Sequence, residues 1–134
     1  MISSKLKIIF GLSIPFFIAH GLEEYSTDFY NIDSYSLFVF RPFAEMSVNQ
    51  ATFLLFQIMI WLLLGISFLF LSGPKWQLRL MMLPGLVYFF ELHHIIKAIS
   101  VGGYYPGVIT ALAFPIFVFF FWRELWKEFR HVQK

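Results

Sequence analysis

Apolar residues along this chain gather into four runs, separated by short polar or aromatic connections. The first covers about 6–19 and continues helical to Glu24. The second covers about 51–71, the third 76–99 and the fourth 104–122, with a polar extension at 123–134. Each has roughly the 20 residues that a helix needs to cross a bilayer. The pattern predicts helices over about 5–24, 49–72, 76–99 and 104–127. The expected fold is therefore all-α, one domain over 1–134, built as a polytopic four-transmembrane-helix bundle. Pro15 lies inside the first run, where neighbouring helices can satisfy the carbonyl it frees. Lys5 and Lys7 ahead of an apolar stretch resemble a cleaved leader. However, the run ends Phe17-Ile18-Ala19-His20 without a small-x-small site, so it is expected to stay as a helix.

Composition removes the main competitor, a soluble domain. Of 134 residues, 59% are hydrophobic and only 13% charged, against about 25% charged in soluble domains. The 19 phenylalanines suit a lipid-facing surface, having no polar atom to satisfy there. The chain has no cysteine, which excludes disulfides and thiolate metal ligands. A net charge of +2 gives no reason to expect nucleic acid as a partner; membrane lipids are the expected surroundings. Gly65 and Gly85 leave an oligomer open, although neither sits in a Gly-x-x-x-Gly pattern.

Basic residues set the expected orientation. Lys5 and Lys7 precede the first helix, Lys75 and Arg79 lie between the second and third, and Arg123, Lys127, Arg130 and Lys134 follow the fourth. Both termini are thus expected on the cytoplasmic side, with the long 25–48 connection outside. The expected location is a bacterial cytoplasmic membrane. Within that connection, Ser36 to Phe43 is too apolar for an ordinary solvated loop. It could cover the mouth of a pocket as an interfacial segment, or simply pack across the helix ends.

Ionisable residues inside a membrane span are costly and point to function. Two clusters stand out: His20-Gly21-Leu22-Glu23-Glu24 ending the first helix, and Glu91-Leu92-His93-His94 late in the third. Residues three and four apart share a helix face, so His20 faces with Glu23 and Glu24, and Glu91 with His94. Both helices run from inside to outside, which places the two clusters at similar depth. Tyr104-Tyr105-Pro106-Gly107 opens the fourth helix on the same side. Helical Glu-x-x-His recurs in metal-binding carboxylate bundles. The expected metal ligands are His20, Glu23, Glu24, Glu91 and His94, for a divalent cation, with zinc ahead of iron. Glu23, Glu24 and Tyr105 are the expected acid–base groups. Plainer roles remain open at this point. His-x-x-Glu pairs can merely bond helices together, Lys97 can snorkel to the interface, and Pro106-Gly107 can be only a helix start.

His20-Gly21-Leu22-Glu23-Glu24, His94, and Tyr104-Tyr105-Pro106-Gly107 with Thr110 together resemble the HXXEE family of small bacterial membrane proteins. The likeness spans about Ala19 to Thr110; an Asn-Glu type of pair expected before the His is Phe90-Glu91 here. The resemblance implies an integral membrane protein and carries no substrate or activity. The residues themselves suggest a metal-dependent membrane hydrolase, less readily an oxidase, acting on a lipid or other apolar molecule. A metal-free acid–base isomerase and a non-enzymatic transporter or accessory subunit are the alternatives.

Overall fold

The computed structural model describes residues 2–132, and among these all regular structure is helical. In chain order the helices are α1 (Ser4–Ser26), α2 (Phe29–Ile32), α3 (Ser34–Phe40), α4 (Val48–Leu71), α5 (Pro74–Leu80), α6 (Met82–Phe90), α7 (His93–Val101), α8 (Val108–Ala111) and α9 (Phe114–Val132). A 3₁₀ turn at Arg41–Phe43 follows α3. Three segments are long and apolar enough to cross a membrane: Ser4–Ser26, Val48–Leu71 and Val108–His131. Serine side chains start two of them. Ser3 accepts from the Leu6 amide and Ser47 from the Gln50 amide, both at 3.3 Å, satisfying donors that a helix start otherwise leaves free.

The third apolar run is not one continuous helix. It is divided into α5, α6 and α7, with interruptions at Met81 and at Glu91–Leu92. Pro84 accounts for the first. It lacks an N–H and is accommodated only in the opening turn of a new helix, α6. The fourth run begins at Val108 rather than 104, because Gly107 and the residues before it form a turn. It is interrupted again at Leu112–Ala113, where Pro115 requires a fresh helix start. The polar extension continues α9 as a helix to Val132; positions 133 and 134 lie outside the described residues. Its buried Glu124 accepts from Lys127 at 2.8 Å and Arg123 at 3.2 Å.

The core lies between α1, α6 and α9, with α5 closing one end. Leu6, Leu78, Tyr88, Ala111, Phe114, Phe121 and Leu125 are buried there. One polar link crosses it. Ser13 donates to the Phe10 carbonyl at 2.6 Å, which leaves its oxygen to accept from Tyr88 at 2.7 Å. α4 packs closely on α5 alone and presents Phe53, Phe56, Leu62, Leu64 and Phe68 outward. Such a surface is stable in lipid, where apolar exposure costs nothing and only the backbone must be satisfied internally.

Gly85 lets α6 approach α9. A Cβ there would lie 3.0 Å from the Trp122 ring and 3.1 Å from Phe121, and the Trp122 indole donates to the Gly85 carbonyl at 2.9 Å. Gly85→Ala is expected to overpack this contact, at a cost of about 1–3 kcal/mol. A lower thermal midpoint in detergent, with helical content unchanged at low temperature, would register it.

Candidate metal centre

Two stretches of chain bring four side chains together. On α1, His20 and Glu24 are one turn apart, so regular helix geometry places them on one face. At the α6–α7 junction the chain tightens into i→i+3 bonding, with Leu92 N to Phe89 O at 3.1 Å, His94 N to Glu91 O at 3.4 Å and Ile95 N to Leu92 O at 3.1 Å. In 3₁₀ geometry side chains three apart eclipse, which aligns Glu91 with His94. The Nε2 of His20 is 2.9 Å from Glu91 Oε2 and 3.7 Å from Glu24 Oε1. The Nε2 of His94 is 3.2 Å from Glu24 Oε1 and 3.5 Å from Glu91 Oε2. One N or O atom from each of the four lies within 4.8 Å of the others. The imidazoles are buried, while the carboxylates are partly open.

The outer nitrogens decide what the inner ones can do. His94 Nδ1 is 2.6 Å from the Pro106 carbonyl. A carbonyl only accepts, so the proton is on Nδ1 and, in the neutral ring, Nε2 offers a lone pair to the cluster. Nε2 of His94 is buried without a hydrogen-bond partner. His20 Nδ1 lies 2.8 Å from Thr110 Oγ1, and that hydroxyl donates to Glu23 Oε2 at 2.6 Å. Thr110 therefore accepts from His20 Nδ1. Nε2 of His20 faces inward, 2.9 Å from Glu91 Oε2; a carboxylate only accepts, so a proton or a cation must lie between them. In their neutral rings both imidazoles would turn a lone pair toward the two carboxylates, an arrangement that a shared cation would stabilise. Oriented imidazoles whose other N–H is held by an oxygen are the usual environment of metal-binding histidines.

The turn before α8 supplies this support. Gly107 has φ +84°, a left-handed conformation, and a Cβ on it would lie 2.7 Å from the His94 ring and 2.8 Å from His20. Only glycine meets both demands. Glu23 accepts from the Ile109 amide at 3.1 Å, the Thr110 amide at 2.9 Å and the Tyr104 hydroxyl at 3.0 Å. It thus caps the start of α8 from another helix, satisfying free amide donors. Asp33, 1% exposed, caps α3 with one oxygen, through the Tyr35 and Ser36 amides at 2.9 and 3.0 Å. Its other oxygen accepts from Tyr105 at 2.8 Å. Phe29 of α2 lies against His94, ring centroids 4.8 Å apart. These contacts hold α2 and α3 over the four side chains as a strap.

Burial favours the neutral form of Asp33, but the Ser36 amide, the Tyr105 hydroxyl, His93 and the Tyr35 amide outweigh it and hold the carboxyl below its usual range. Burial first, then the bond to Asp33, push the Tyr105 phenol up to about 12.

Beside the four side chains is a cleft of roughly 560 Å³, bounded by α3 on one side and the α6–α7 junction on the other. Glu24 and Glu91 reach its wall, and Ser36, Val39 and Phe40 from the apolar part of the connection line it. That connection was expected to be an interfacial segment or a structural cap; in the structure it is helical and forms one side of a cleft.

The structure gathers His20, Glu24, Glu91 and His94 and sets two other expected residues apart. Glu23, expected as ligand or base, has both oxygens engaged at α8. Tyr105, expected in catalysis, donates its hydroxyl to Asp33. Lys97 has its ammonium 5.9 Å over the Tyr35 ring. His93 donates from Nδ1 to the Phe90 carbonyl at 2.7 Å and has Nε2 3.8 Å from Asp33. Asp33 was missed as a site-forming residue. Its one signal in the sequence is an acidic residue followed by Ser-Tyr-Ser at the head of an apolar segment.

Residues 12–121 match the family described as a protein of unknown function with HXXEE motif, and the chain belongs to that family. No curated protein and no solved structure is similar enough to be matched. The motif that gives the family its name supplies His20 and Glu24 to the cluster and Glu23 to its support.

Gly107→Ala is expected to force both imidazoles from their positions, an overpacking that costs about 1–3 kcal/mol, measured as a lower thermal midpoint in detergent. The Asp33–Tyr105 bond gives a pH window. Asp33, with its folded pKa depressed, contributes stability above its ordinary value of 3.8 that is lost as pH falls through the folded value. Tyr105, with its folded pKa raised, contributes stability below pH 10 that is lost as pH climbs toward 12. Thermal midpoints across pH should show both flanks in the native protein, with the alkaline one reduced in Tyr105→Phe.

Proposed function

We propose that this protein is a metal-dependent enzyme of a bacterial cytoplasmic membrane, acting on a lipid or another apolar molecule. The convergence of His20, Glu24, Glu91 and His94, with both imidazole Nδ1 atoms held from outside, carries the reading. His20, His94 and Glu91 form the binding set. Two imidazoles and one carboxylate are a ligand set found in zinc hydrolases, where a further position stays open. Zinc therefore ranks ahead of iron, and hydrolysis ahead of oxidation. A divalent cation held there would supply Lewis acidity toward an oxygen of the substrate.

The chain's own residues divide the remaining work. Glu24 lies in the cluster and on the cleft wall, placed to take a proton from a water or substrate hydroxyl and return it to the leaving group. The Thr110 hydroxyl and the Pro106 carbonyl orient His20 and His94. The strap formed by α2 and α3 limits access of bulk water. In this reading the chain crosses the bilayer four times, with α5–α7 as the interrupted third crossing and both termini cytoplasmic. The excess of Lys and Arg at those ends supports that orientation. The 3₁₀ interruption at Glu91–Leu92 is tolerable because it is half-buried against protein and lines the cleft and the site, as irregular backbone in membranes generally must.

Element analysis of protein purified without chelator tests this directly. Near-stoichiometric zinc or iron is expected in the native chain and its loss in His94→Ala and Glu91→Ala, with Lys97→Ala, outside the cluster, retaining it. No bound metal after addition of zinc and iron would overturn the reading and leave metal-free acid–base chemistry by the same carboxylates.

A further inference from the structure

The cleft has a direction. Its polar wall lies where α3 begins, at Asp33 and Ser36, opposite Glu91 and His93 and beside Glu24. One turn further along α3 the lining is Val39 and Phe40; the other wall carries Glu91 and His93 between Phe89–Phe90 on one side and Ile96 on the other. The imidazoles of His20 and His94 are only 3% and 0% exposed, whereas the Glu24 and Glu91 side chains are 25% and 18% exposed. The cluster thus meets the cleft through its carboxylates. At the other end Val39, Phe40, Phe89 and Phe90 are 59%, 47%, 49% and 72% exposed. In a chain surrounded by lipid, such an apolar rim opens sideways into acyl chains rather than into water.

Size narrows the occupant. About 560 Å³ lies within the range that holds one ligand of modest size. That volume limits what is held between the walls to a small head and the near part of a hydrocarbon chain. We infer that the cleft takes a single-chain amphiphile whose hydroxyl head donates to Glu24 and Glu91. Its hydrocarbon chain leaves between α3 and the end of α6 into the bilayer. The inference deepens the metal-enzyme reading, resting on it for the placement of the head, while the chain's path rests on the cleft alone.

Photolabelling tests it. The native protein in lipid nanodiscs is exposed to hexadecanol bearing a mid-chain diazirine, and adducts are located by mass spectrometry. Metal content is determined on the same preparation. Adducts are expected on Val39, Phe40, Phe89 and Phe90 at about tenfold the density on the lipid-facing Phe53, Phe56 and Phe68 of α4. Val39→Trp, which fills the mouth at an exposed position, should remove that enrichment. A hexadecane carrying the same diazirine, and a phosphatidylcholine with the diazirine in one chain, should not show it. Even labelling of cleft and α4, enrichment that survives Val39→Trp, or equal enrichment by the headless or two-chain probe would each overturn the inference. A metal-loaded protein with an unlabelled cleft rejects this inference and leaves the metal reading standing. Selective cleft labelling in a protein that takes up no metal rejects the metal reading and keeps the cleft assignment.

Discussion

Two imidazoles and two carboxylates, with one N or O atom of each within 4.8 Å of the others, are the constraint around which this end of the bundle is arranged. Such groups hold together only when a proton or a cation lies between them, and around buried imidazoles little water is there to screen them. Holding them together therefore requires rigid support from outside the cluster. The structure supplies it through oxygens that fix each imidazole by its far nitrogen: Thr110 for His20 and the Pro106 carbonyl for His94. Glu23 and Asp33 in turn fix the turn that carries those oxygens.

The irregular backbone follows from the same need. A continuous third helix would place Glu91 and His94 about 60° apart around its axis; the 3₁₀ turn brings them into line. Gly107 brings the turn before α8 against both imidazoles, where any side chain would collide. Elsewhere the fold is simple. Aromatic packing among Phe17, Tyr88, Phe114 and Phe121 joins α1, α6 and α9, and α4 lies mostly to one side.

In the proposed function the cleft links this centre to lipid. Its carboxylate end belongs to the cluster, and Val39, Phe40, Phe89 and Phe90 at its rim are exposed. The strap over it is anchored at Asp33 and Phe29. An enzyme that drew its substrate from a bilayer would need an oriented polar group reachable from the side, and the proposed function gives the arrangement of α3 against the α6–α7 junction that part.

Helix type, the apolar runs and the pairing of the two His/Glu clusters were legible in the chain because they depend on local properties. Twenty apolar residues demand internal backbone bonding, and residues three or four apart share a face whatever lies around them. The same periodicity placed Glu23 and Glu24 equally close to His20 and so could not tell a member of the cluster from its support. That distinction was made by α8, whose free amides claim Glu23 and leave Glu24 to the cluster. Likewise the bond from the Tyr105 hydroxyl to Asp33 joins residues 72 apart in sequence. Contacts of that range depend on how helices pack and where prolines and a 3₁₀ turn redirect them, which no local spacing encodes. The sequence by itself determined which residues were chemically unusual in an apolar chain; only the tertiary structure decided which face the centre, which hold it in place, and which line the cleft beside it.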